Sequence, residues 1–203
     1  MTLLEQAGIQ FSLASTIDEI KLSTLLESNT VLFLGMGAQR SRSIALPGEE
    51  LKGVHQALNW LQTINAGKKR SLYALPVVVI GGGDTAIDCA RVARRLGATV
   101  TVAYRGAETE LGASCKEVLF AREEGVQFLF EHTPVECEGR QQVSAVRFDT
   151  PGGTVAIEAE RVILALGQLP NPPEWLGHFG IRTDRHGRIL VDEQGHTTHP
   201  QIW

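Results

Sequence analysis

This 203-residue chain has no apolar run of the roughly 18 to 20 residues that cross a bilayer, and its N-terminus lacks a basic segment leading into an apolar core. No membrane partner is expected, and the chain is read as cytoplasmic. A surplus of positive charge is missing too: at a net charge of −4 there is no basic field to hold a polyanion, so nucleic acid is excluded as an expected partner. Cysteine is scarce. Cys89, Cys115 and Cys137 stand at no Cys-x-x-Cys spacing, which excludes a dithiol redox pair and a zinc knuckle and leaves reduced thiols as the ordinary reading. The six histidines are scattered, and no metal site is expected. What remains, with 43% hydrophobic and 21% charged residues, suits a folded chain with one or two cores.

The chain does contain Val77-Val-Val-Ile-Gly-Gly-Gly-Asp-Thr-Ala-Ile-Asp-Cys-Ala90, an apolar strand, a glycine turn and a helix start in immediate succession. Gly81, Gly83 and Ala86 fill the G-x-G-x-x-G/A positions. These need a tight turn, a backbone bare enough to touch phosphate, and a small residue for close helix packing. Glycine turns between strands and helices are common, so the pattern alone says little. Its context adds weight: a helix over 84–96 ends at Gly97 and leads to a second strand over 98–104, which completes a βαβ unit. In that helix Ala86, Ala90 and Ala93 share a face with Ile87 and Leu96 beside it, while Arg91, Arg94 and Arg95 suit the helix dipole and face solvent.

The second strand ends in Arg105, 24 positions after Gly81, where an NAD site usually carries an acid for the ribose 2′-hydroxyl. A guanidinium offers paired donors to phosphate, so Arg105 favours the 2′-phosphate of NADP(H). The plainer alternative is a surface arginine at a strand end. Lys116, near the next helix start, is a second candidate charge. Asp84 and Thr85 open the first helix, and Asp84 is read either as its N-cap or as a partner for ligand hydroxyls.

The rest of the chain reads in shorter pieces. Val31-Leu-Phe-Leu34 suggests a buried strand leading into Gly35-Met-Gly37, but 41–48 has no helical period and is stopped by Pro47, so this second glycine pair is read as an irregular crossover. Leu51, Val54, Leu58, Leu61 and Ile64 predict a helix over 49–66 with Trp60 at its edge and Gly67 as its cap, followed by the basic Lys68, Lys69 and Arg70. Ser114-Cys-Lys-Glu117 has capping-box spacing and opens a helix to Glu124. A strand over 126–130 follows. Segments 143–148, 154–158 and 161–166, with a turn at 151–153, predict a small β-meander closing on a buried strand. Residues 167–203 are rich in Gly, Pro and His and do not read as a separate domain.

These motifs resemble the pyridine nucleotide-disulfide oxidoreductase superfamily, and within it the small (beta) subunits of NADPH-dependent glutamate synthase and their relatives. The residues carrying the resemblance are 31–40 with Leu46-Pro-Gly-Glu-Glu50, 53–61, Gly81–Asp88 with Ala103-Tyr-Arg105, and Val162-Ile-Leu-Ala-Leu-Gly-Gln-Leu-Pro-Asn171. The resemblance implies an α/β fold: a Rossmann-like three-layer NADP(H)-binding domain over 71–166, with partial FAD-domain segments at 1–70 and 167–203. It also implies hydride transfer from NADPH to FAD, and onward electron transfer to an iron–sulfur domain or a larger partner subunit. Gly81, Gly82, Gly83, Asp84, Thr85, Arg105, Lys116 and Gly167 are the expected cofactor-binding residues. No residue is expected to act as a general base, since hydride transfer needs none.

Two departures from the family pattern bear on these expectations. The family's FAD fingerprint, which would precede residue 1, and its Ala-x-Gly-Asp segment, which would follow Trp203, are both absent. The chain is therefore expected to be a piece of a longer protein, inactive alone and not holding FAD by itself. Gly106 stands where relatives commonly carry a second arginine, which softens the preference for NADP(H). The lack of Cys-x-x-Cys argues against the thioredoxin-reductase and disulfide-reductase branches. Rival readings are an NAD(P)H-sensing module without catalysis, and a flavoprotein reductase that prefers NADH.

Overall fold

The computed structural model describes residues 2–28, 31–67 and 71–203, so the basic run Lys68, Lys69 and Arg70 lies outside the described residues. The chain forms two compact units, one from residues 1–38 with 170–203 and one from 39–169. The expected domain limits fall instead at 70/71 and 166/167. Among the described residues no helix is long and apolar enough to cross a membrane.

In the first unit, helices α1 (Thr2–Gln6) and α2 (Glu19–Ser28) precede an extended segment. A small core joins Leu22 of α2 to Leu176, Ile181 and Ile202. The run Val31–Leu34 is not a buried strand. Leu32 bridges Ile202 in parallel and turns partly inward, while Val31 and Phe33 are exposed, because successive side chains of an extended chain point to opposite faces.

In the second unit, β1 (Arg40–Ser41) is followed by β2 (Val54–Gln56) and helix α3 (Ala57–Asn65), then β3 (Pro76–Ile80), α4 (Asp84–Arg95) and β4 (Thr99–Ala103). After α5 (Cys115–Glu123) come β5 (Gln127–Leu129), β6 (Thr133–Gly139), β7 (Val143–Thr150), β8 (Gly153–Glu158), β9 (Arg161–Leu164) and β10 (Gln168–Leu169). Strands β2, β9, β3, β4 and β5 form a parallel sheet in that order, and β6–β8 form an antiparallel meander.

The expected helix over 49–66 is shorter at its start: 54–56 are strand, paired with 162–164 of β9, and only the later turns are helical. Edge pairing captured the backbone donors and acceptors that a longer helix would have used internally. Gly67 does cap the end, with φ of +82° and its N–H donating to the Ile64 carbonyl. Trp60 is not at an edge. It is buried in the core that includes Ala90 and Ala93 of α4.

Central strand β3 shows why the sheet is covered on both faces. Val77 and Val79 pack into the helical layer, whereas Val78 and Ile80 pack against Val146 and Phe148 of the meander. Alternation puts successive residues into two different cores, so a continuous apolar run is required. Ala86, Ala90 and Ala93 of α4 are fully buried, as their small side chains demand for close helix-on-sheet packing. Strand β6 had no sequence signal, since Glu136, Glu138 and Gly139 break its apolar pattern and its pairing with β7 shifts register near Pro134 and at Gly139.

Two of the arginines expected to face solvent instead brace α4 against its neighbours. Arg91 donates to Glu124 Oε1 from Nε (3.0 Å) and Nη2 (2.7 Å) and pairs with Glu117, while Arg94 donates to the carbonyls of Glu124 (2.8 Å) and Ala98 (2.9 Å). Arg95 remains exposed. This pairing takes Glu117 away from the expected capping box: Ser114 is the N-cap of α5 but makes no side-chain cap bond.

The Arg91 hydrogen bond, helped by the charges of Arg95 and Arg91, holds the Glu124 carboxyl below its usual 4.5 despite opposing desolvation. A depressed carboxylate contributes stability above the ordinary value and loses it as pH falls through its folded value. Arg91→Ala is therefore expected to lower stability at pH 7 and to flatten the loss on acidification below about pH 4.5, as read from denaturant midpoints across a pH series.

Candidate functional site

Ile80, Ala103 and Leu164, the last residues of β3, β4 and β9, border a cavity of about 660 Å³. From β3 the chain runs outward through β4 and β5, then returns by way of the meander to β9 on the other side of β3. This is a topological switch point, where open parallel sheets leave a crevice at their carboxyl ends.

The three glycines of the turn meet different surroundings. At Gly81, φ is +146° and a Cβ would run into the Ala165 carbonyl oxygen, while the N–H donates to the Ala103 carbonyl (3.0 Å). At Gly82 a Cβ would stand 2.5 Å from the Tyr104 ring and 2.9 Å from Leu111. Gly83 has ordinary dihedrals, and nothing lies within 4 Å of a Cβ there, so packing does not demand a glycine at this position, which borders the cavity. Among the described residues the N–H groups of Gly82 and Gly83 have no acceptor. Helix α4 begins directly behind them with Gly83 as an N-cap that brings no side-chain acceptor; the Ala86 N–H donates to the Gly83 carbonyl (2.9 Å), while the Asp84 and Thr85 N–H groups have no acceptor among the described residues and the positive dipole end faces the cavity.

Asp84 does not cap α4. Its Oδ1 accepts from the Ser114 N–H (2.9 Å), which ties the loop before α5 to the glycine turn, and the Gly82 carbonyl reinforces that tie by accepting from the Ala113 N–H (3.0 Å). Thr85 Oγ1 accepts from Gln168 Nε2 (3.3 Å). Arg105 lies exposed on the cavity wall after β4, with no hydrogen bond or ion pair among the described residues. Gly167 borders the cavity with φ of +100°. Lys116 is not part of the lining; its ammonium lies 5.6 Å from the centre of the Phe120 ring on α5.

The sequence reading missed Arg42 and Glu110, both of which line the cavity. Arg42 sits in the segment read as crossover. It reaches the site because Ser41 pairs with Gln168 across β1 and β10 and the Arg42 N–H donates to the Gly167 carbonyl (3.0 Å), pairings with no local periodicity to reveal them.

The cysteines take no part in the cavity lining. Burial, with Asp88 second, pushes the Cys89 thiol up to about 12, and burial, with Glu49 next, pushes Cys137 up to about 11. These two belong to the separate cores on opposite faces of the sheet, while Cys115 is exposed at the start of α5. Gly35-Met-Gly37 is irregular chain, with Gly37 at φ of +64°, and no helix begins directly behind it, so it presents no helix N-terminus.

A three-layer α/β unit with an open glycine turn at its switch point belongs to the dinucleotide-binding class of folds. The family model for pyridine nucleotide-disulphide oxidoreductases matches residues 4–203, and the chain belongs to that family. It is 36% identical over 231 residues to a glutamate synthase (NADPH) small chain of Halomonas elongata, covering 98% of this chain and 49% of that one. Against the NADPH-Fe(3+) oxidoreductase subunit beta of Geobacter sulfurreducens (strain DL-1 / KN400) it is 34% identical over 203 residues, covering 85% of this chain and 29% of the relative. The chain thus spans about half the length of the glutamate synthase small chain, as it does for that of Escherichia coli.

Among solved structures, thioredoxin reductase of Lactococcus lactis superposes with a TM-score of 0.67 at 24% identity, over 84% of this chain and 55% of that one. Mycobacterium tuberculosis FprA in complex with NADPH gives 0.64 at 17% identity, over 84% and 57%. These two share the fold. The resemblance carried by the motifs is borne out, as is the three-layer α/β class.

The differing demands on the glycines make a prediction. Gly82→Ala is expected to destabilise the protein by about 1–3 kcal/mol through overpacking against Tyr104, and Gly83→Ala, at an N-cap with room for a Cβ, to cost less, about 0.5–1 kcal/mol. Chemical denaturation of the two variants distinguishes them.

Proposed function

We propose that this chain is the NADP(H)-binding part of a cytoplasmic flavoprotein oxidoreductase of the glutamate synthase small-chain type. In it, hydride from NADPH reaches FAD, and electrons continue to an iron–sulfur centre or a partner subunit. The observation that carries the reading is the pairing, around one cavity, of N–H groups at the start of α4 and a guanidinium after β4 that have no partner among the described residues. The relatives' names support a partner, since they describe a small chain and a subunit.

When bound, the nicotinamide supplies the hydride and the flavin receives it. The chain's own residues bind and orient. Gly82 and Gly83 present their N–H groups to the pyrophosphate, Arg105 holds the 2′-phosphate, and Gly167 keeps the backbone slim beside the nicotinamide end. Gly81 positions the turn, and Asp84 and Thr85 fix the loops that border it. Lys116 has no direct contact in this arrangement and contributes only long-range positive charge. In this assignment the nucleotide domain is the 39–169 unit, since β2 and α3 share its sheet and core, and 1–38 with 170–203 fall to the flavin domain.

In the full-length protein a flavin absorbance spectrum and NADPH oxidation with an artificial acceptor are expected. Absence of both would overturn the enzyme reading and leave an NAD(P)H-sensing module. Arg105→Ala is expected to weaken NADP(H) binding about 10- to 100-fold with little change for NAD(H). Gly83→Ala, the milder of the two glycine changes for the fold, is expected to weaken both dinucleotides. Titration calorimetry with each one reads these effects.

A further inference from the structure

The wall that carries Arg105 also carries an acid. Glu110 lines the same cavity, at the end of a single helical turn over 108–110. The backbone from Tyr104 onward folds it back towards Arg105: the Tyr104 hydroxyl donates to the Glu110 carbonyl (2.9 Å), and the Ala107 N–H donates to Glu110 Oε2 (2.8 Å). That carboxylate occupies the space beside Gly106, where a Cβ would lie 2.7 Å from Oε2 and 2.9 Å from the Tyr104 ring. The loop is pinned from below as well, since the Gly106 carbonyl accepts from the Glu131 N–H (3.0 Å) and the Tyr104 carbonyl from the His132 N–H (2.9 Å).

Charge pairing separates Glu110 from its neighbour. Glu108 is matched by Arg122 at 2.7 Å, whereas no Lys or Arg nitrogen lies within 4.0 Å of the Glu110 carboxylate among the described residues. The Ala107 N–H occupies one oxygen, and Oε1 has no partner among the described residues. A carboxylate in the turn after the second strand, held by one backbone donor and with no cation within 4.0 Å among the described residues, does two things to a nucleotide ribose: it accepts hydrogen bonds from free hydroxyls and repels a phosphate dianion.

We infer that Glu110 is a specificity-determining residue that works against Arg105, so that the site takes NAD(H) alongside NADP(H). The inference rests on the dinucleotide reading above. Arg105 attracts the 2′-phosphate. Glu110 opposes that attraction and offers Oε1 to the 2′-hydroxyl of the unphosphorylated ribose.

The test is titration calorimetry on the full-length protein and its Glu110→Gln and Arg105→Ala variants, each with NADP+ and NAD+. Glutamine keeps an oxygen for the Ala107 N–H and removes the charge. The expected result is that wild-type protein binds both dinucleotides and that Glu110→Gln raises the ratio of NADP+ to NAD+ affinity about five- to tenfold. Because each variant is compared with itself on two ligands, a general loss of folded protein does not move the ratio. An unchanged or lowered ratio in Glu110→Gln, with Arg105→Ala still losing NADP+, overturns the role of Glu110 and leaves the proposed function standing. If wild-type protein binds neither dinucleotide, the proposed function falls and this inference with it.

Discussion

The structure of the 39–169 unit depends on close backbone approach at Gly81 and Gly82. Where β3 ends, the missing Cβ of Gly81 lets the chain pass against the Ala165 carbonyl, and the missing Cβ of Gly82 admits the Tyr104 ring. Those contacts bring the carboxyl ends of β9 and β4 up to the turn on either side. A side chain at either position would push one of them away. The cavity at the strand ends, the direction of α4 and the wall that bears Arg105 all follow from this closeness.

Small residues extend the same constraint into the helix. Ala86, Ala90 and Ala93 let α4 lie directly on the sheet, and Arg91 and Arg94 then fasten α5 and the start of β4 to it. On the opposite face the meander closes over Val78 and Ile80 with Val146 and Phe148. The central strand is sealed on both sides, so the backbone donors at its end are held in place by packing. In the proposed role such preorganised donors cost little to use, because they need not be reordered when a ligand arrives.

Charge at the site is balanced between opposing groups. Arg105 and Arg42 line the cavity together with Glu110 and Asp84, and they differ in what else they touch. Asp84 is engaged with the Ser114 N–H and acts as a brace, while the Glu110 carboxylate is held by one backbone donor and has no Lys or Arg nitrogen within 4.0 Å among the described residues. Roles at this site are therefore set by hydrogen-bond occupancy more than by residue type.

Much of the core unit was legible in the sequence because its signals are local. The apolar run at 76–80, the glycine turn, the alanine face of α4 and the second strand leading to Arg105 lie within about thirty consecutive residues, and each needs only its neighbours to be read. Where readings failed, a distant partner had intervened. Strand β9 drew 54–56 into the sheet, Arg91 drew Glu117 away from Ser114, and β10 drew Ser41 and Arg42 to the cavity. By itself the sequence determined the glycine turn and the family, since short spacings encode both. Only the tertiary structure decided which charges share the cavity, because Arg42, Arg105 and Glu110 come from separate segments that backbone pairing and loop hydrogen bonds bring together.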